Sequence, residues 1–179
     1  MQAEKLYEKM SSLKYGWYDH INKRQITPRN KEFGQPNFFE ENCYILKPNE
    51  VWKYGVGTCW DFTILEYQEL SKSYDKVIPV YFEIYSKTTF VTHSSILYQE
   101  KDETFSWFEF AWGPYAGIHY HYADKKLAFE NIEKLFKLKY NKSVTYSKLN
   151  FNITKLLELD NITAKDFIKA VRAEYREGE

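Results

Sequence analysis

Between Val77 and Trp112 the chain holds three runs dense in β-branched and aromatic residues: Val77–Tyr85, Phe90–Tyr98 and Thr104–Trp112. Only the charged pentapeptide Gln99-Glu100-Lys101-Asp102-Glu103 separates the last two. Runs of this kind form strands, and a five-residue polar connection between two of them makes an antiparallel hairpin. Pro79 near the start of the first run marks a strand end or an edge. Gly113-Pro114 breaks the third. Any fold open to this chain must accommodate an antiparallel sheet here.

Two polar residues interrupt these strands. His93 lies in Val91-Thr92-His93-Ser94-Ser95, and Glu109 lies in Trp107-Phe108-Glu109-Phe110-Ala111. A carboxylate among large apolar side chains is costly without a partner. If Tyr98 opposes Thr104 across the turn, the same register sets His93 directly opposite Glu109. The pair then shares one face, with Cβ atoms ~5 Å apart. A one-residue slip would send the two to opposite faces. The competing account is a buried His–Glu pair with a purely structural role.

Upstream, Tyr54-Gly55-Val56-Gly57-Thr58-Cys59-Trp60-Asp61-Phe62 leads into a run free of Gly and Pro that suits a helix to about Tyr74. Thr58 reads as its N-cap and Asp61 as the acidic third residue, a shortened capping box. Cys59 then occupies the first helical turn, where unpaired N–H groups and the helix dipole favour negative charge. A thiol so placed tends toward thiolate. A small buried Cys that happens to open a helix is the alternative.

The rest of the chain supports this centre. Residues 3–14 form an amphipathic helix carrying Leu6, Met10 and Leu13 at helical spacing. Tyr15 to Pro28 is extended or irregular, and Asn49 caps a short helix that stops at Gly55. Asp124 caps a helix from Lys125 to about Lys139, with Ala128, Ile132, Leu135 and Phe136 facing inward. Val144–Phe151 forms one more strand, and Thr163 with Asp166 starts a final helix ending near Arg176. The fold class is α+β. Its 179 residues suit a single domain with a core at about 49–140 and helical or extended additions at both ends.

Composition narrows the function. Lys plus Arg and Asp plus Glu number 25 each, so no net field draws the chain to nucleic acid or acidic membranes. No apolar run approaches a membrane span, and Met1–Met10 lacks the apolar stretch of a secretory signal; a cytoplasmic location is the expectation. The aromatic share of 19% fits a thick core more cheaply than a sugar- or base-binding surface. The two cysteines, Cys43 and Cys59, form neither a CxxC pair nor a disulfide framework. His119 and His121 share a strand face, but no third metal ligand is visible, and no cofactor is expected.

A helix-opening Cys, then a strand His, then an acid on the next strand resembles the transglutaminase-like superfamily, in particular a little-characterised bacterial branch of it. The resemblance rests on Gly57-Thr58-Cys59-Trp60-Asp61-Phe62, His93 and Glu109, with gaps of 34 and 16 residues, and covers roughly Asn49–Trp112. Trp107-Phe108-Glu109 and Gly117-Ile118-His119 add to it. The superfamily usually has Asp where this chain has Glu109. The resemblance implies a papain-like core, a Cys59–His93–Glu109 triad and an amide or peptide substrate. Trp52, Tyr54 and Trp60 are candidates for the side-chain donor to an oxyanion. No calcium loop of the DxDxDG kind is present, which disfavours a calcium-regulated transglutaminase. Such folds also serve as inactive scaffolds, so a binding protein that keeps the architecture is the alternative.

Overall fold

The computed structural model describes residues 2–33, 43–87, 89–158 and 161–173. Its centre is a five-stranded antiparallel sheet in the order β8-β7-β6-β5-β9. The strands are β5 (Val77–Ser86), β6 (Thr89–Gln99), β7 (Phe105–Glu109), β8 (Gly117–Tyr122) and β9 (Tyr146–Leu149). Alternation along β5 explains why both faces are covered. Ile78, Val80, Phe82 and Ile84 point to one side, where Ala128, Ile132 and Phe136 of helix α4 (Lys125–Tyr140) meet them. Tyr81 points to the other side, toward Trp60 and the C-terminal helix α6 (Ala164–Ala173). Ile96, Tyr98 and Phe108 face that side too, against helix α3 (Cys59–Leu70) and helix α1 (Ala3–Met10). The architecture is mixed α+β, a sheet with helices on both faces.

Local signals set most of these elements. Asp124 caps α4 by accepting the Leu127 N–H at 2.8 Å. Asn141, in the left-handed conformation, ends it. Leu6 and Met10 are fully buried on α1, and Leu13 nearly so. The stretch after α1 makes three short strands, β1 (Lys14–Tyr15), β2 (Trp17–Asp19) and β3 (Arg24–Ile26). Helix α2 (Pro48–Tyr54) starts two residues earlier than expected. Its N-cap is Lys47, with Pro48 as the first helical residue, because Glu50 reaches back to accept the Lys47 N–H at 2.9 Å. Asn49 is therefore inside the helix. Short helix α5 (Ile153–Leu157) precedes α6, and positions 174–176 of the expected last helix lie outside the described residues. Among the described residues no helix is long and apolar enough to cross a membrane.

The hairpin register differs from the expectation. Gln99 opposes Phe105 and Tyr98 opposes Ser106, so the five-residue connection is Glu100–Thr104. The cause is chemical. Asp102 Oδ1 accepts both the Thr104 N–H (3.1 Å) and its hydroxyl (2.6 Å), and the Glu100 N–H donates to the Thr104 carbonyl at 2.8 Å. This Asx turn holds Thr104 in the loop. The slip is two positions along the partner strand, so faces are conserved while direct opposition is lost.

Candidate active site

Three elements deliver the site. Strand β6 carries His93, β7 ends on Glu109, and α3 opens with Cys59. All three side chains are withdrawn from solvent, with Cys59 at 5% exposure, His93 at 6% and Glu109 at 0%. The β6–β7 ladder stops at Ile96–Phe108. At the level of His93, β7 no longer pairs with β6, which leaves room for the α3 N-terminus.

The helix start is fixed from several directions. Asp61 Oδ2 accepts the Thr58 N–H at 2.6 Å and the Thr58 hydroxyl at 2.9 Å, while Oδ1 accepts the Leu46 N–H at 2.7 Å. Asp61 thus supplies its half of the capping box, and the Thr58 hydroxyl donates to the same carboxylate. Burial raises Asp61 to about 7 against the pull of these three donors. One turn further on, Thr63 Oγ1 donates to the Cys59 carbonyl at 2.8 Å and is hydrogen-bonded to Ser94 Oγ at 2.9 Å. That bond ties the first turn of α3 to the residue next to His93. Gly57 allows the approach: a Cβ there would lie 2.8 Å from Phe62 Cε1 and 3.1 Å from Asp61 Cβ.

His93 Nε2 meets Glu109 Oε2 at 2.6 Å, and Glu109 Oε1 accepts the Trp112 N–H at 2.7 Å. Both carboxylate oxygens are therefore committed and the group cannot swing. With Nε2 taken, Nδ1 is the ring nitrogen left for a second partner, and the neighbouring Cys59 is among the groups that raise the imidazole's pKa. Trp112 covers the ring at 5.0 Å between centroids, and Phe136 of α4 flanks it at 6.3 Å. The Trp112 Nε1–H is buried with no hydrogen-bond partner among the described residues. Desolvation works against a charged imidazole here. The charge of Glu109, the Cys59 contact and the Glu109 hydrogen bond outweigh it and raise His93 to about 10. His93 is accordingly an imidazolium at neutral pH.

The three expected donors to an oxyanion are each packed against another aromatic or charged group. Trp60 is buried and stacks on Phe167 at 4.8 Å. Trp52 sits under the Lys9 ammonium at 4.3 Å. Tyr54 lies flat on Tyr18 at 3.8 Å. A residue the sequence did not single out, Tyr15, is brought near the start of α3. Strand β1 pairs in parallel with β4 (Val56–Gly57), which sets Tyr15 beside Gly57, and desolvation and the neighbouring Cys59 push its phenol well up from the ordinary value. Residue Glu66, two turns along α3 from Cys59, is a second buried carboxyl close to Glu109 and His93. Burial, then the Glu109 charge, holds its pKa well above the usual carboxylate range.

His119 and His121 do not act together. His119 stacks on Trp107 at 4.5 Å and bonds the Tyr115 carbonyl at 2.7 Å, whereas His121 is exposed beside Asp102. Among the described residues no group of three His, Cys, Asp or Glu side chains gathers as a metal site would require. Cys43 is fully buried, and burial pushes its thiol well up from the ordinary value. No family model, curated protein or solved structure matches this chain at a significant level.

Proposed function

We propose that this protein is a cysteine-dependent acyl-transfer enzyme with a transglutaminase-like core, acting on an amide or peptide substrate as hydrolase or acyltransferase. The observation that carries the reading is the buried line Cys59, His93, Glu109. It is assembled from a helix start and two strands, with Glu109 locked onto His93 on one side and onto the Trp112 backbone on the other. A purely structural ion pair has no need of a thiol at its open end.

The chemistry follows the triad pattern. Cys59, as thiolate beside the His93 imidazolium, attacks the substrate carbonyl carbon, and the carbonyl electrons move to oxygen. The tetrahedral adduct collapses as His93 gives its Nδ1 proton to the leaving amine, which leaves an acyl thioester on Cys59. Glu109 keeps the ring aligned throughout. Neutral His93 then takes a proton from water in a hydrolase, or from an acceptor amine in a transferase. The nucleophile displaces the thiolate, and the ion pair is restored.

Brief iodoacetamide treatment followed by peptide mass mapping tests this. Cys59 is expected to be alkylated at least about 10-fold faster than Cys43, whose thiol is buried and held protonated. Equal labelling, or a preference for Cys43, overturns the proposal.

A further inference from the structure

Tyr85 is 63% exposed and Phe90 42%, and the β5–β6 register sets them directly opposite each other, their rings edge to face at 6.0 Å. Single apolar side chains on a surface need no explanation, but two large rings held side by side in water form a patch. Beside them runs helix α6. Its buried stripe of Phe167, Ile168 and Val171 leaves Lys165, Lys169 and Arg172 exposed, at spacings of four and three residues. The two rings, the three cations and Ile168 enclose a groove of about 290 Å³.

Both walls of the groove are fixed. Buried Glu83 on β5 takes the Arg172 guanidinium on its two carboxylate oxygens and also accepts the Tyr81 hydroxyl at 3.1 Å. That contact clamps α6 to the sheet and answers the Arg172 charge. On the other wall, the Tyr85 N–H donates to Thr145 Oγ1 at 2.9 Å. Lys165 and Lys169 are unanswered, since among the described residues neither forms a salt bridge. Asp166, between them in sequence, accepts the Thr163 hydroxyl at 2.7 Å and does not line the groove.

We propose that this groove binds an extended acidic segment of a partner protein, with carboxylates on alternate residues and an apolar side chain between them. Spacing and charge carry the assignment. Lys165 and Lys169 lie one helical turn apart, ~6 Å along the axis, and side chains on one face of an extended strand repeat every ~6.6 Å. Carboxylates at positions i and i+2 therefore meet both ammonium groups, while residue i+1 points the other way, toward Tyr85 and Phe90. The cationic wall selects against a basic partner, and the concave shape suits a chain segment better than a flat bilayer. The groove shares no residue with the Cys59, His93 and Glu109 site, and the inference does not rest on the acyl-transfer reading.

The probe is a fluorescein-labelled Glu-Leu-Glu-Leu-Glu peptide, titrated with the full chain and followed by fluorescence anisotropy. Saturable one-to-one binding is expected. Lys165→Glu with Lys169→Glu should weaken it at least about 10-fold, and Tyr85→Ser with Phe90→Ser about 5–30-fold. All four side chains are exposed, so both variants should keep the wild-type melting temperature. No saturable binding up to about 1 mM peptide overturns the proposal, as does wild-type affinity in either variant. Equal affinity for Glu-Ser-Glu-Ser-Glu overturns it too, because charge alone would then suffice. Sedimentation with phosphatidylserine vesicles in place of peptide binding reassigns the surface to a membrane. A dimer in sedimentation velocity that Tyr85→Ser with Phe90→Ser dissociates reassigns it to a second copy of this chain, and either result overturns the acidic-segment assignment.

Discussion

Replacing Glu109 by Gln removes one charge from the site and almost no volume, so it reads the His93–Glu109 pair directly. Glu109 is fully buried and accepts from His93 on one oxygen and from the Trp112 N–H on the other. A Gln must turn its carbonyl toward one of these donors and its NH₂ toward the other. If the carbonyl keeps Trp112, the NH₂ faces Nε2, which can accept only when His93 is neutral with its proton on Nδ1. The variant thus forces the imidazole out of its charged form. The rise of His93 from 6.5 to about 10 corresponds to roughly 5 kcal/mol of preference for the imidazolium, at 1.36 kcal/mol per pH unit, and this is an upper bound. A buried charge-assisted hydrogen bond is worth ~1.5–3 kcal/mol, and breaking a buried pair costs ~3–5 kcal/mol. The variant escapes part of that cost by neutralising His93, so a loss of about 2–4 kcal/mol is expected at pH 6. The sign with pH is fixed by the direction of the shift. A histidine whose folded value is raised contributes stability that is complete below its unfolded value, near 6.5, and is lost as pH climbs toward about 10. The advantage of wild type over Glu109→Gln should therefore shrink between pH 6.5 and 10, to under about 1 kcal/mol at the upper end. Urea denaturation of both chains, each keeping Cys59 because it contributes to the rise of His93, gives the two curves. A difference constant over that range, or one that grows with pH, would refute the charged pair.

Two further substitutions probe what surrounds it. Gly57→Ala drives a methyl into the Phe62 ring and the Asp61 Cβ, at 2.8 and 3.1 Å, and should cost about 1–3 kcal/mol as a lowered melting temperature; a melting temperature equal to wild type would show that α3 does not need the close approach. Glu66 is held protonated by burial and by the Glu109 charge, so its folded-state pKa lies above its unfolded one. An acid raised in this way costs the native state stability as pH rises past about 4.5, by ~1.4 kcal/mol for each pH unit over which it retains its proton. Urea midpoints of wild type should therefore fall relative to Glu66→Gln between pH 4.5 and 8, and parallel midpoints would contradict the buried carboxylic acid.

The parts of this fold that the sequence made legible are those governed by neighbours in the chain. Asp124 with the Ala128, Ile132, Phe136 spacing located α4, because a cap and a stripe lie within one helix. Thr58 and Asp61 located the start of α3 for the same reason. The strands from Val77 to Glu109 were legible from residue type, and their common face from period two. The register was not, since it turned on whether Asp102 would claim the Thr104 amide and hydroxyl, a competition that counting residues does not see. Tyr15 was beyond reach for a different reason. Its strand is two residues long, and its partner lies some forty positions downstream at Val56–Gly57, so no local pattern marks it. Trp52, Tyr54 and Trp60, near Cys59 in sequence, were natural candidates for a donor to an oxyanion. The core instead takes Trp60, and Tyr18 and Lys9 take Tyr54 and Trp52.

The same register explains why the acid is a glutamate. With Gln99 opposite Phe105, continuing the register would set Glu109 opposite Ser95, and His93 lies two residues further along β6, a diagonal rather than a facing neighbour. Diagonal positions on one face stand ~7–8 Å apart at the backbone, against ~5 Å for facing ones. An aspartate suits the shorter span. Across the diagonal, one more methylene lets the carboxylate reach Nε2 at 2.6 Å while its second oxygen turns back to the Trp112 N–H at the strand end. That second bond requires the chain to curl immediately after Glu109. The Gly113–Tyr115 turn supplies the curl and also lays the Trp112 ring over His93. One slip in the hairpin thus accounts for the length of the acid.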